Sequence, residues 1–125
     1  MLERSLRGAS ARFLDGEAVK RDLAERANAL VAQDANVAAV YLFGSLVRGD
    51  YAPSSDADVV IVERQPTAPR QMDRPLRYAD RFTRLAVPVD ILVLTVSEAA
   101  AMRTEGRRFI QEAIDEGLLL AGTPV

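Results

Sequence analysis

The chain has 125 residues, of which 49% are hydrophobic and 27% charged, a composition typical of a single soluble globular domain. Cysteine and histidine are both absent, which excludes disulfides, thiolate catalysis, histidine base catalysis and histidine-ligated zinc. The net charge is −2 although 15 arginines and one lysine are present, so the protein is not expected to bind nucleic acid.

The sequence contains neither an apolar run long enough to span a membrane nor a secretory signal pattern. We therefore expect a cytoplasmic protein with no membrane partner. Residues 1–125 are predicted to form one domain, with 1–14 as an arginine-rich N-terminal arm or short helix.

The first half of the chain alternates between helix and strand. Asp15 is a helix N-cap for 16–33, where apolar residues recur on one face. The β-branched and aromatic run at 37–43 predicts a buried strand, which ends at Gly44. Ser45 is predicted to cap a short helix, and a second strand is predicted at 57–63.

The second half begins with a proline-containing connection at 65–70. The predicted elements that follow are a helix at about 70–86, a strand at about 88–95, a helix from a cap at Ser97 to Glu116 with an interruption near Gly106, and a short strand at 118–121. Strands that alternate with helices predict an α/β (α+β) domain, in which a mixed β-sheet of three to four strands is flanked by helices.

The predicted helix at 70–86 would carry its arginines on one face, at positions 70, 74, 77, 81 and 84. Such a face is either an anion- or partner-binding surface or a solvated surface. The spacing of Asp73 to Arg77 and of Asp80 to Arg84 favours the solvated alternative, because residues four apart can pair. The apolar residues of this segment, Leu76, Ala79, Phe82 and Ala86, are predicted to contact the core.

The Gly44-Ser45 dipeptide occupies the turn between the first strand and the short helix. Glycine lets a ligand approach the backbone closely, and free N–H groups at the start of a helix favour a phosphate. The Ser45 hydroxyl could add a hydrogen bond, and Arg48 lies within reach of the same ligand or of a neighbouring carboxylate. This turn is a candidate phosphate site.

Asp56 and Asp58 open the second strand, and ten residues lie between Ser45 and Asp56. Side chains two apart on a strand share a face, and two uncompensated carboxylates there repel each other. A hard cation removes the conflict, and Mg²⁺ is commonly held by one or two carboxylates plus substrate phosphates. The alternative is that these aspartates cap the preceding loop.

Asp90 is the only charged residue between Val87 and Val96, in a predicted central strand. A lone charge in such a strand is costly unless it is paired or binds a metal. If this strand lies beside the one that carries Asp56 and Asp58, three carboxylates converge in the outline of a two-metal site. The alternative is a salt bridge between Asp90 and an arginine.

Together these residues resemble the minimal nucleotidyltransferases of the DNA polymerase beta superfamily. The family pattern is Gly-Ser, a gap, Ser-Asp-x-Asp and a later strand Asp, which corresponds here to Gly44, Ser45, Ser55, Asp56, Asp58 and Asp90. The Arg48-Gly49 pair and the length of the gap are also similar, the latter to antitoxins that partner HEPN toxins. Ala57 is smaller than the residue usual there.

The resemblance implies a nucleotidyltransferase-like fold, two Mg²⁺ ions and ATP as donor for AMP transfer to a hydroxyl. Asp56, Asp58 and Asp90 would be catalytic and bind metal, while Gly44, Ser45, Arg48 and Ser55 would bind nucleotide. No residues remain for an acceptor domain, so we expect a partner, either a small helical HEPN-like protein or a second copy in a homodimer. The alternatives are a small-molecule nucleotidyltransferase of the aminoglycoside type and a non-catalytic nucleotide-binding or antitoxin module.

Overall fold

The computed structural model describes residues 15–52 and 54–125; the predicted arm at 1–14 lies outside them. The helices are α1 (Gly16–Gln33), α2 (Ser45–Arg48), α3 (Val96–Thr104) and α4 (Arg108–Ile110), which continues as a π-helical segment (Gln111–Asp115). The strands are β1 (Val37–Phe43), β2 (Ala57–Glu63), β3 (Val89–Thr95) and β4 (Leu118–Gly122). Three short 3₁₀ segments (Gln71–Asp73, Pro75–Arg77 and Ala79–Phe82) connect β2 to β3.

The first helix has the bounds that the sequence predicts. The Asp15 side chain accepts a hydrogen bond from the backbone N–H of Ala18 at 3.1 Å, which satisfies one of the free donors at the helix start. Its apolar face is buried against the sheet through residues that include Leu23 and Leu30. Within the described residues, no helix has the length and apolar character of a bilayer-spanning segment.

The four strands form one mixed sheet in the order β3-β2-β1-β4. β1 is antiparallel to both β2 and β4, whereas β2 and β3 are parallel. The predicted fold class is confirmed: α1 covers one face, and α3 with the 108–115 segment covers the other. As a result, the end of β1 and the starts of β2 and β3 meet at the same edge of the sheet.

The predicted helix at 70–86 is wrong. Instead of one helix, this part of the chain forms the three 3₁₀ segments, because Arg74 is drawn into the protein rather than presented on a surface. The Arg74 guanidinium donates to the carbonyls of Ala68 at 2.7 Å and Pro69 at 3.2 Å, and to both oxygens of Glu98 at 2.7 and 3.2 Å. A five-arginine face therefore does not form.

The predicted side-chain pattern of this segment is also corrected. Phe82 is buried, but Leu76 is 83% exposed, and Ala79 and Ala86 are exposed as well. The ion pairs that form are not those predicted at spacing four, since Arg70 pairs with Asp73 and Arg77 with Asp34.

A buried carboxylate at the end of β2 fixes the connection between β2 and β3. Glu63 is fully buried and accepts hydrogen bonds from the Tyr78 hydroxyl, from the Thr67 hydroxyl at 2.7 Å and from the Thr67 N–H at 3.1 Å. Burial and the bond to Glu63 raise the pKa of Tyr78 above its ordinary value. The connection is thus fixed by polar contacts that local sequence patterns do not reveal.

The N-cap of α3 lies two residues before Ser97, the residue predicted to cap this helix. The Thr95 hydroxyl accepts from the Glu98 N–H at 3.0 Å, and the Glu98 carboxylate accepts from the Thr95 N–H at 2.8 Å, which forms a capping box. The predicted interruption near Gly106 is confirmed, because α3 ends at Thr104 and helical structure resumes at Arg108. The predicted fourth strand is confirmed as β4.

Candidate functional site

Strand register brings the predicted carboxylates to one edge of the sheet. Phe43, the last residue of β1, is opposite Asp58, and Asp58 is opposite Asp90 on the parallel neighbour β3. Asp56 precedes β2 and is two residues from Asp58, so it is expected on the same face. This face of the sheet is the one covered by α3 and the 108–115 segment, because Val60, two residues after Asp58, packs against that layer.

The electrostatic setting of this edge is unfavourable to unpaired negative charge. Asp58 is half-buried, whereas Asp56 and Asp90 are exposed. Burial raises the pKa of the Asp58 carboxyl, the charges of Asp90 and Asp56 raise it further, and only Arg48 acts in the opposite direction. No ion pair within residues 15–52 and 54–125 involves any of the three aspartates. A cation at this edge would relieve the repulsion.

Gly44 fits against Asp58 in a way that no other residue can. Its backbone has φ 84° and ψ −152°, a region that is essentially restricted to glycine. A Cβ at this position would lie 2.5 Å from the Asp58 Oδ2 atom. Gly44, rather than the predicted Ser45, is the residue that caps α2, and Ser45 is the first residue of that helix. The turn therefore packs its backbone directly against the half-buried carboxylate.

A cleft of about 360 Å³ opens beside this turn. Four of the predicted site residues line it: Gly44, Ser45, Arg48 and Asp58. Its opposite wall consists of Phe109, Glu112 and Glu116, and Phe109 packs edge-to-face on Phe43 with 5.7 Å between ring centroids. No sequence pattern predicts this wall, because it lies more than fifty residues from the Gly-Ser turn and has no motif of its own.

The other predicted site residues lie outside the lining of the cleft. The Ser55 hydroxyl accepts a hydrogen bond from the Ala52 N–H at 2.8 Å and so stabilises the turn before β2. Asp56 immediately precedes β2, and Asp90 is on β3, which is an edge strand and not the predicted central strand. The Arg48 side chain pairs with Asp50 at 3.2 Å, and both are largely exposed, so this pair is easily exchanged for a ligand.

The donor set suits a hard cation that is shared with a substrate. In the described part of the chain, no three acidic side chains are gathered closely enough to enclose a metal ion by themselves. Mg²⁺, however, usually keeps several waters and takes only one or two protein carboxylates, with substrate phosphates completing its shell. The raised pKa of Asp58 and the facing position of Asp90 fit such an ion.

Comparison with known proteins adds independent information. A family model described as "Nucleotidyltransferase domain" matches residues 21–125. A relative from Methanocaldococcus jannaschii, "Putative protein adenylyltransferase MJ0141", is 30% identical over 79 residues, which cover 63% of this chain and 74% of the relative.

Solved structures share the fold. A "putative nucleotidyltransferase" from Sulfolobus solfataricus superposes with a TM-score of 0.54 and 24% identity, over 81% of this chain and 85% of that chain. A chain of a "toxin-antitoxin with AMP-PNP" superposes with a TM-score of 0.56 and 19% identity, over 83% of this chain and 73% of that chain.

Proposed function

Because the chain belongs to the nucleotidyltransferase domain family, we propose that it transfers AMP from Mg²⁺-bound ATP to a hydroxyl of a partner protein. The observation that carries this proposal is the register of Asp58 against Asp90, beside a cleft that contains the Gly44-Ser45 turn. It supplies carboxylates for metal and a backbone turn for phosphate at a single edge of the sheet.

Each side chain has a separate task in the proposed reaction. Asp56, Asp58 and Asp90 would hold the metal ions, which neutralise charge on the phosphates when bound. Gly44, Ser45 and Arg48 bind the terminal phosphates, and Ser55 keeps the loop before Asp56 in place. Ser45 is not a nucleophile, because the chain has no histidine to activate it.

The chemical step is an in-line displacement. The acceptor oxygen bonds to the α-phosphorus, the bond from that phosphorus to the bridging oxygen of the β-phosphate breaks, and pyrophosphate leaves. The hydroxyl proton passes to the Asp90 carboxylate or to water. Most of the rate arises from positioning and charge stabilisation.

Two comparisons support a protein acceptor. The M. jannaschii relative is named as a protein adenylyltransferase, and one structural neighbour is a toxin-antitoxin chain studied with AMP-PNP.

A labelling experiment tests this proposal. The protein is incubated with Mg²⁺, a cell lysate and ATP labelled at either the α- or the γ-phosphate, and kanamycin is added in a parallel reaction. We expect α-label, and no γ-label, on a protein band. Transfer of γ-label would contradict nucleotidyl transfer, rapid labelling of kanamycin would favour the small-molecule alternative, and ATP binding without any labelling would favour a non-catalytic module.

A further inference from the structure

An apolar groove lies along β3, next to the candidate cleft. It has a volume of about 420 Å³ and is lined by residues from three parts of the chain, including Met72, Pro75, Leu92, Met102 and Phe109. Met72 is 74% exposed and Leu92 is 41% exposed, so large apolar side chains along one groove are accessible to solvent, as in a contiguous apolar patch that binds a ligand or a protein. One wall of the groove is formed by Met72 and Pro75 of the 3₁₀ turns that replace the predicted helix at 70–86.

The groove is continuous with the candidate nucleotide site. Phe109 lines both the groove and the cleft, so the two cavities adjoin at this residue. Leu92 follows Asp90 by two residues on the same face of β3, a separation of about 6.6 Å along the strand. A ligand in the groove is therefore held beside the carboxylate that faces Asp58.

The charges of the two cavities differ. Among the residues that the structure describes, three carboxylates and one arginine line the cleft, whereas Arg107 is the only charged residue that lines the groove. Arg107 pairs with Glu105 at 3.1 Å, and both side chains are more than half exposed, so the pair is weak and can be exchanged. An apolar ligand that carries a carboxylate complements this groove, and a polycationic sugar does not.

We propose that this groove docks the acceptor, a segment of a partner protein in which apolar residues and a carboxylate flank the modified hydroxyl. This inference rests on the proposed function, since it names the substrate class of the same site. The apolar residues fill the groove between Met72 and Leu92, and the carboxylate pairs with Arg107. The hydroxyl is then presented past Phe109 to the α-phosphate of the nucleotide.

Two fluorescent peptides with a central tyrosine test the proposal, one flanked by leucine and glutamate and the other by leucine and lysine. Binding is measured by anisotropy without nucleotide, and AMP transfer is measured with α-labelled ATP. We expect the acidic peptide to bind about tenfold more tightly than the basic one. Met72→Glu should weaken binding of the acidic peptide about tenfold, because a charge is then buried against apolar groups.

Matched variants separate the groove from the rest of the molecule. Arg107→Glu should reverse the preference between the two peptides. Val96→Glu introduces the same charge at another exposed apolar residue, the first of α3, which does not line the groove, and should leave binding unchanged. Mg–ATP affinity should be the same in all three variants, which confirms that the nucleotide site is intact.

The possible results are distinguishable. Equal binding of the two peptides, no binding of either, or the same loss in Val96→Glu as in Met72→Glu would overturn the groove proposal. A concentration-dependent dimer of the wild type that Met72→Glu abolishes would overturn it in favour of self-association. Selective peptide binding without AMP transfer would leave the groove supported and count against the proposed function alone.

Discussion

Replacement of Asp58 by Asn is expected to lower AMP transfer by about a thousandfold or more. Asp58 is the half-buried carboxylate between Asp56 and Asp90, and it lines the cleft beside Gly44. Asparagine keeps the shape of the side chain and removes the charge that would hold the metal ion. The measurement is single-turnover transfer from α-labelled ATP at saturating Mg²⁺, with the exposed Asp80→Asn variant as the matched control.

The same variant should be more stable than the wild type at pH 7 in the absence of metal. The pKa of Asp58 is raised in the folded protein, so the folded state binds its proton more readily than the unfolded state. Its contribution to stability is complete below the ordinary pKa of 3.8 and is lost as the pH rises through the folded-state pKa. The melting temperature of Asp58→Asn should therefore exceed that of the wild type at pH 7, and the gain should shrink towards pH 4. A loss of stability at pH 7 would contradict the repulsion among the three carboxylates.

Removal of the Glu98 side chain is expected to have the largest effect on stability. Only 1% of the Arg74 side chain is exposed, and its guanidinium is bound by both Glu98 oxygens. The hydrogen bond from Arg74 lowers the pKa of Glu98, as expected for a carboxylate held in its charged form. Glu98→Ala leaves a buried cation without its carboxylate and breaks the capping box of α3, so we expect a loss of about 3 kcal/mol in urea unfolding.

Glu105→Ala is the matched control, because Glu105 forms an exposed pair with Arg107. Its loss should change the free energy of unfolding by less than about 1 kcal/mol. If Glu98→Ala and Glu105→Ala were equally stable, the Arg74–Glu98 pair would not be what holds the connection between β2 and β3 to α3.

The sequence was a good guide where local patterns and packing agree. β1 and residues 59–62 of β2 are continuous apolar runs that are buried on both faces, and such runs predict strands well. α1 combines an Asp cap with apolar residues at helical spacing, and the structure forms the helix with the predicted bounds.

The sequence pattern predicts the wrong secondary structure where a distant contact determines the local conformation. The arginines of residues 70–86 recur at helical spacing. However, Arg74 is bound by Glu98, which is 24 residues away, and Tyr78 is bound by the buried Glu63. These polar contacts fold the segment into 3₁₀ turns, and they leave Met72 and Leu76 exposed. Local propensity cannot anticipate contacts of this kind.

Only part of the candidate site could be predicted, because some of its residues are near each other in sequence and others are brought close only by the tertiary fold. Gly44, Ser45 and Asp58 follow from a turn and a strand that are near in sequence, and they meet at the cleft. Phe109 and Glu112 reach it from a helical segment that only the tertiary fold brings close.

The most direct test of the proposed metal–nucleotide site is a calorimetric titration of ATP into the wild type and into the Asp56→Asn, Asp58→Asn double variant, each with and without Mg²⁺. We expect the wild type to bind ATP tightly only with Mg²⁺. The double variant should remain folded, lose this Mg²⁺-dependent binding, and gain nothing from added metal. Undiminished Mg–ATP affinity in the folded double variant would contradict the assignment of the site.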